Sequence, residues 1–223
     1  EESYDTMDAA RVGDAVYLCF HTTPGMFIAR LGLNMRPQGA PAFLSRWSNT
    51  CALATDGEKL WMAAQEPSAK SLAENTGVKS AVAIMTIAPG TPPLRSACSV
   101  VTDPPAEATD AAIDIAVDEQ TGLLALPYVR FFSKGNAYEL RLVVVDSRTM
   151  KAARDVLIAG NEEFGGAAPS GIAVLAEQGR ALLYWETADA LAQRISTVDL
   201  STGTVRDTYA QAPRKGIPGL IGE

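Results

Sequence analysis

Apolar and polar positions alternate with a period of two over much of the chain, most cleanly between Ala111 and Gly160. Ile113, Ile115 and Val117 are separated by Asp114 and Ala116 and followed by Asp118, which predicts a strand with one buried face. Glu119-Gln120-Thr121-Gly122 then turns the chain into a continuous apolar run, Leu123 to Val129. A loop at Ser133-Lys134-Gly135-Asn136 leads to a third strand, Tyr138 to Val145, and the turn Asp146-Ser147-Arg148-Thr149 leads to a fourth at Val156-Leu157-Ile158. Four short strands joined by hairpin turns form a meander, the shape of one β-propeller blade.

The same order recurs along the chain. Val16 to Phe20, Met26 to Leu33 and Ala42-Phe43-Leu44 read as second, third and fourth strands of a unit without a first strand, because Glu1 to Arg11 is acidic, polar and reads as an extended arm. A second unit comprises Thr50 to Ala54, Lys59 to Ala64, Ser80 to Ala88 and Leu94 to Val101; Asp56-Gly57 gives a strong hairpin signal and Gln65 to Thr76 reads as loop. The last comprises Gly171 to Leu175, Ala181 to Trp185, Arg194 to Leu200 and Val205 to Ala210. Third strands end at Leu33, Ile87, Val145 and Leu200, a period of about 55 residues that repeats roughly four times. The prediction is an all-β fold, a single β-propeller domain over residues 1–223 with about four blades of four antiparallel strands. Gly216 to Ile221 reads as one more first strand, so closure is expected by pairing of the two ends, with Gly216 to Ile221 beside Ala15 to Phe20.

An alternating first strand, a polar turn with glycine, an apolar second strand and a third strand running into Val-Val-Asp-Ser-Arg-Thr or Val-Asp-Leu-Ser-Thr-Gly resemble the blades of bacterial YVTN-type or quinoprotein-like β-propellers. The resemblance covers residues 111 to 210 and extends loosely over the first hundred. It implies the fold. It implies no particular activity, because such propellers include scaffolds, surface proteins and enzymes.

A net charge of -7 and no Lys/Arg cluster beyond Arg214-Lys215 remove the electrostatic footprint of a nucleic-acid binder. No apolar run approaches the roughly eighteen residues of a membrane-spanning helix. Cys19, Cys51 and Cys98 lack CxxC spacing. They are read as three buried free thiols, with one disulfide as the alternative. The opening Glu1-Glu2-Ser3-Tyr4-Asp5 has neither an initiating Met nor a signal peptide, and leads to the expectation of an extracytoplasmic protein, periplasmic or secreted.

No catalytic motif, metal-ligand spacing or cofactor fingerprint is present. His21 is the one histidine and no GxSxG accompanies it; Glu162, Glu163 and Asp103 lack calcium-loop spacing. Trp61 and Trp185 fall in second strands and read as packing between blades. Binding is therefore placed on the loop face of the propeller, at Trp47, Glu66, Phe132, Glu163, Glu186 and Arg214. The leading functional expectation is a non-catalytic binding or assembly module recognising a protein partner, with a place in a larger assembly. The alternatives are a hydrolase or lactonase-like propeller with a carboxylate-bound cation, and a carbohydrate-binding propeller using Trp47.

Overall fold

The computed structural model describes residues 7–68, 79–164, 168–187 and 193–211. It is an all-β, four-bladed propeller. Blade 1 holds β1 (Met7–Val12), β2 (Ala15–Thr22), β3 (Gly25–Gly32) and β4 (Ala42–Ser45); blade 2 holds β5 (Ala52–Thr55), β6 (Leu60–Pro67), β7 (Ser80–Ala88) and β8 (Leu94–Val100). Blade 3 divides its inner strand into β9 (Ala108–Ala112) and β10 (Ala116–Asp118), followed by β11 (Leu123–Phe132), β12 (Ala137–Asp146) and β13 (Lys151–Ala159). Blade 4 holds β14 (Ser170–Glu177), β15 (Arg180–Glu186), β16 (Gln193–Asp199) and β17 (Val205–Gln211). Every strand pairing is antiparallel, and all but that of β9 with β11 join neighbours in sequence, as short turns require.

Two expectations need correction. Met7–Val12 is not part of an extended arm but the first strand of blade 1, in register from Met7 opposite Phe20 to Val12 opposite Ala15. It escaped the pattern because only Val12 of its six residues is buried, so it carries little apolar alternation. Its presence also removes the expected closure: β2 has β1 on one edge and β3 on the other, leaving no place beside Ala15 to Phe20 for another strand. Gly216 to Ile221 lies outside the described residues.

Three apolar clusters seal three blade interfaces. Tyr17, Cys19 and Ile28 meet Leu53, Met62 and Met85 between blades 1 and 2. Trp61, Val82 and Ile84 meet Leu124, Leu126 and Tyr128 between blades 2 and 3. Leu140, Leu142 and Val144 meet Leu183, Trp185 and Val198 between blades 3 and 4. Trp61 and Trp185 are thus buried between blades, as their positions predicted. Strands sandwiched between two blades are buried on both faces, which explains the unbroken apolar runs Leu60 to Ala64 and Leu124 to Leu126.

Cys19 and Cys51 form a disulfide with Cα atoms 6.2 Å apart, and Cys98 is exposed, so the reading of three buried thiols is corrected. Spacing alone could not reveal the bond, since it depends on blade 2 beginning beside the second strand of blade 1. Cross-linking positions separated by 32 residues restricts the unfolded chain. The Cys19→Ala/Cys51→Ala double variant is expected to lose about 2–4 kcal/mol of stability, checked by denaturant melts without reductant.

Candidate functional site

In each blade the connection between second and third strands, and the connection from one blade to the next inner strand, emerge at the same end. The register shows it: Met7 lies opposite Phe20, Ala108 opposite Phe132 and Ser170 opposite Glu186. This end carries Trp47, Glu66, Phe132, Glu163 and Glu186; Arg214 lies outside the described residues.

Trp47 and Glu66 belong to one seam. The Ser48 hydroxyl accepts the Gln65 N–H at 3.1 Å and donates to the Thr50 carbonyl at 2.7 Å, tying the segment of Trp47 to the strand of Glu66. Trp47 is 39% exposed and has the Arg46 guanidinium 4.7 Å over its ring, while Glu66 lies 3.5 Å from Arg95. Phe132 is the last residue of β11, paired with Ala108 and Ala137 instead of standing in a loop. Glu163 sits on one helical turn, Asn161–Phe164, and accepts the Gly160 N–H at 2.6 Å. That turn replaces the expected loop, because Phe164 is buried edge-on against Trp185, centroids 5.5 Å apart.

Glu186 accepts hydrogen bonds from the Tyr184 hydroxyl and, at 3.3 Å, from the Gln193 amide. Its carboxylate presses on the inner strand at Gly171, φ +57°, where a Cβ would stand 2.9 Å from Glu186 Cδ and Oε2. Only glycine fits that bulge without displacing the acid. Among the described residues, no hydrogen bond or ion pair links any two of these five predicted positions. Glu66, Phe132 and Glu186 stand on blades 2, 3 and 4, and Trp47 and Glu163 on the connections between blades.

The structure instead assembles carboxylates along the inner strands. Asp8 on β1 accepts the Leu53 N–H of blade 2 at 2.6 Å and the Ala9 N–H at 2.7 Å. Asp114, at the break between β9 and β10, accepts the Val174 N–H of blade 4 at 2.8 Å and the Ile115 N–H at 2.8 Å. Asp118 accepts the Gly179 N–H at 2.6 Å and the Thr121 hydroxyl at 2.8 Å. Asp8 and Asp114 satisfy the free edge of a neighbouring inner strand, and Asp118 the turn Gln178-Gly179 that follows one.

Asp114 differs from an ordinary aspartate. Burial raises its pKa, the Val174 and Ile115 amides oppose that rise, and the negative charge of Asp8 adds to it. The charge of Asp8 on blade 1 thus reaches Asp114 on blade 3. Neither stands out in the sequence, because Asp8 lies in a polar stretch that reads as an extended arm and Asp114 in an alternating strand looks like a solvent-facing position.

Blade 3 buries a second polar group. Arg130 makes a two-pronged ion pair with Asp110, Nε to Oδ1 at 2.7 Å and Nη2 to Oδ2 at 2.9 Å, and its guanidinium lies 5.6 Å from the Tyr128 ring. The Tyr128 hydroxyl donates to both Asp155 oxygens at 2.8 and 2.9 Å, and Arg141 Nε donates to Asp155 at 3.0 Å. Burial, followed by the charges of Asp155 and Asp110, pushes the Tyr128 phenol well above its usual range, so it remains a neutral donor. These partners saturate one another and brace the sheet. Among the described residues there is no group of three or more His, Cys, Asp or Glu able to hold a metal ion, and Glu162, Glu163 and Asp103 do not form one.

No family model and no curated protein matches the chain. Solved structures do. The endo-arabinase of Bacteroides thetaiotaomicron superposes with a TM-score of 0.60 at 12% identity, covering 89% of this chain and 76% of that one. A thermostable family-43 glycoside hydrolase gives 0.57 at 10% identity over 98% and 74%, and the Bacillus subtilis arabinanase Arb43A 0.51 at 16% over 96% and 78%. These likenesses establish the propeller fold; they supply no YVTN or quinoprotein-like relative. They also overturn the expectation of a non-catalytic protein-binding module, since the propellers this chain resembles include several glycoside hydrolases. No helix among the described residues is long and apolar enough to cross a membrane.

Proposed function

We propose that this chain is a carbohydrate-active propeller of the glycoside hydrolase type, with Asp114 as general acid and Asp8 as the second carboxyl group. The observation that carries the reading is the pair of inner-strand aspartates, Asp8 accepting the Leu53 amide of blade 2 and Asp114 the Val174 amide of blade 4, with burial raising the Asp114 pKa. Glycoside hydrolysis uses two carboxyl groups whose environments separate their protonation states, one donating a proton to the leaving oxygen and the other acting as base or nucleophile. The likeness to arabinanases and to other glycoside hydrolases supports the substrate class. Trp47, with one ring face under Arg46, offers the opposite face at the rim for a sugar ring.

The same reading makes residues 1–223 one working domain whose ancestry lies among YVTN-type or quinoprotein-like repeats, on the blade pattern of residues 111 to 210. The Cys19–Cys51 bond supports an extracytoplasmic location, where disulfides persist.

The test is release of reducing ends from arabinan and β-1,3-galactan, and of phenol from aryl glycosides, across pH. Asp114→Asn is expected to lower turnover at least about 100-fold, the usual scale for losing a general acid. The basic limb of the wild-type pH profile should disappear with it. Stability should move the other way. A carboxyl whose folded pKa is raised binds its proton more tightly in the native state, so its ionised form lowers stability as pH rises through the carboxylate range. Asp114→Asn removes the buried charge but turns an NH2 group toward one of the two amides that Asp114 accepts, so its melting relative to wild type should be higher at pH 7 than below about pH 4, by less than the full charge effect. Absence of both hydrolysis and calorimetric binding with these glycans would overturn the reading.

A further inference from the structure

The inner strands of blades 1 and 2 do not share a sheet: β1 pairs with β2, and β5 pairs with β6. The hydrogen bond from the Leu53 N–H to Asp8 Oδ2, 2.6 Å, therefore crosses from one sheet to the next, and its geometry depends on how blade 1 sits against blade 2. β1 itself does little to fix that relation, since only Val12 of its six residues is buried. Its support is β2, where Cys19 stands directly opposite Asp8. Residues directly opposite on antiparallel strands share a face, and Cys19 is fully buried on the face that meets blade 2.

From Cys19 the disulfide runs to Cys51, which precedes β5 and lies two residues before Leu53. The circuit is short and closed. It goes from Asp8 across the register to Cys19, through the two sulfurs to Cys51, along Ala52 to the Leu53 N–H, and back to the Asp8 carboxylate. The chain between the two cysteines is no substitute, because it runs through β3, β4 and the connection that carries Trp47. Ser48 ties that connection to β6, within blade 2, and so does not fix blade 1. Arg30 to the Thr91 hydroxyl at 2.8 Å and Arg95 to the Leu44 carbonyl at 3.3 Å do link the two blades, but around their third and fourth strands. Apolar contact resists separation of the sheets; being non-directional, it does little against sliding. A covalent bond resists both.

We infer that the Cys19–Cys51 bond is a positioning device for Asp8: it fixes the inner strand of blade 2 beside that of blade 1 so that the Leu53 amide orients the Asp8 carboxylate. Its value for catalysis rests on the proposed glycoside hydrolase reading, in which Asp8 is the second carboxyl group and must be held in place relative to the sugar. The bond acts through Leu53 and touches no reacting atom.

The experiment uses the full chain with Cys98→Ser as parent, so that the exposed thiol takes no part in disulfide exchange. Amide hydrogen exchange of Leu53, referenced to the β6 amides, is compared in the parent, in Cys19→Ala/Cys51→Ala, in Asp8→Ala and in the combined variant. Losing the bond or the acid should speed Leu53 exchange about tenfold or more, and losing both should do little more than either, because the two act through one contact. Cys19→Val/Cys51→Ala, which restores apolar volume without the bond, repeats the measurement should the alanine pair not fold. Leu142→Ala opens a cavity between blades 3 and 4; it is the control for lost stability and should leave Leu53 as in the parent. On aryl glycosides the cysteine variants should lose about tenfold or more in kcat with KM within about twofold, the result of a misplaced group and not of a lost binding contact. Unchanged Leu53 exchange in the cysteine variants, effects that simply add in the combined variant, or an unchanged kcat once the Leu53 amide is freed would each overturn the inference. No turnover by the parent, with the exchange results as expected, would overturn the hydrolase reading and leave the bond as what fixes Asp8.

Discussion

Asp110→Ala is expected to lower the free energy of unfolding by about 3–5 kcal/mol, the range for stranding one member of a buried ion pair. Asp110 is fully buried and gives both carboxylate oxygens to Arg130, itself buried on the second strand of the same blade. Removing the acid leaves a guanidinium in the apolar interface between blades 2 and 3 with the Tyr128 ring as its remaining neighbour of opposite polarity. The pair is not thereby a large net source of stability, since desolvating both ions offsets most of their attraction. Replacing both, as in Asp110→Leu/Arg130→Met, should recover most of the loss. Denaturant melts at pH 7 decide it: a single-variant loss below about 1 kcal/mol would show that water reaches Arg130.

Trp185→Ala should cost about 3–5 kcal/mol, because the emptied site lies between blade 3 and blade 4 where neither sheet can collapse without breaking its own register. Phe164 loses its edge contact with the indole at the same time, so the helical turn that carries Glu163 should lose amide protection. The two interfacial tryptophans separate on a subtler change. Trp185 Nε1 donates to the Ser196 hydroxyl at 3.1 Å, whereas Trp61 Nε1 has no hydrogen-bond partner among the described residues. Trp185→Phe should therefore cost about 1 kcal/mol more than Trp61→Phe beyond their similar loss of packing. Equal losses in parallel melts would count against the Ser196 bond.

Much of the fold was legible because blade strands announce themselves by local chemistry. Asp56-Gly57, Gly122, Gly179 and Gly203 mark turns that need positive φ, and the structure places all four glycines there. Asp146 and Asp199 each accept amide hydrogen bonds from the residues two and three positions on, so the Asp-Ser-Arg-Thr and Asp-Leu-Ser-Thr stretches turn on their own side chains. For Asp199 this turn chemistry, led by the Ser201 hydroxyl, holds the carboxyl at about 2. β1 was not legible, because a strand whose residues are mostly exposed carries no apolar period to detect.

The candidate site was legible in kind and not in place. Loop acids and an exposed tryptophan do occupy one end of the propeller, but loops radiate from a ring and hold Trp47, Glu163 and Glu186 in different seams. The charge of Asp8 on blade 1 acts on Asp114 on blade 3, a relation that no stretch of sequence contains.

What the sequence by itself determined is the blade: alternation sets each strand, glycine and aspartate set each turn, and the roughly 55-residue period sets how often they recur. Those are interactions within a few residues, and short-range pattern is sufficient to specify them. Only the tertiary structure decided that Cys19 meets Cys51, that Asp110 is buried on Arg130, and that Asp8 and Asp114 accept amides of neighbouring blades. Each depends on which blade face meets which, and that is set by burial between sheets distant in sequence rather than by the propensity of any one of them.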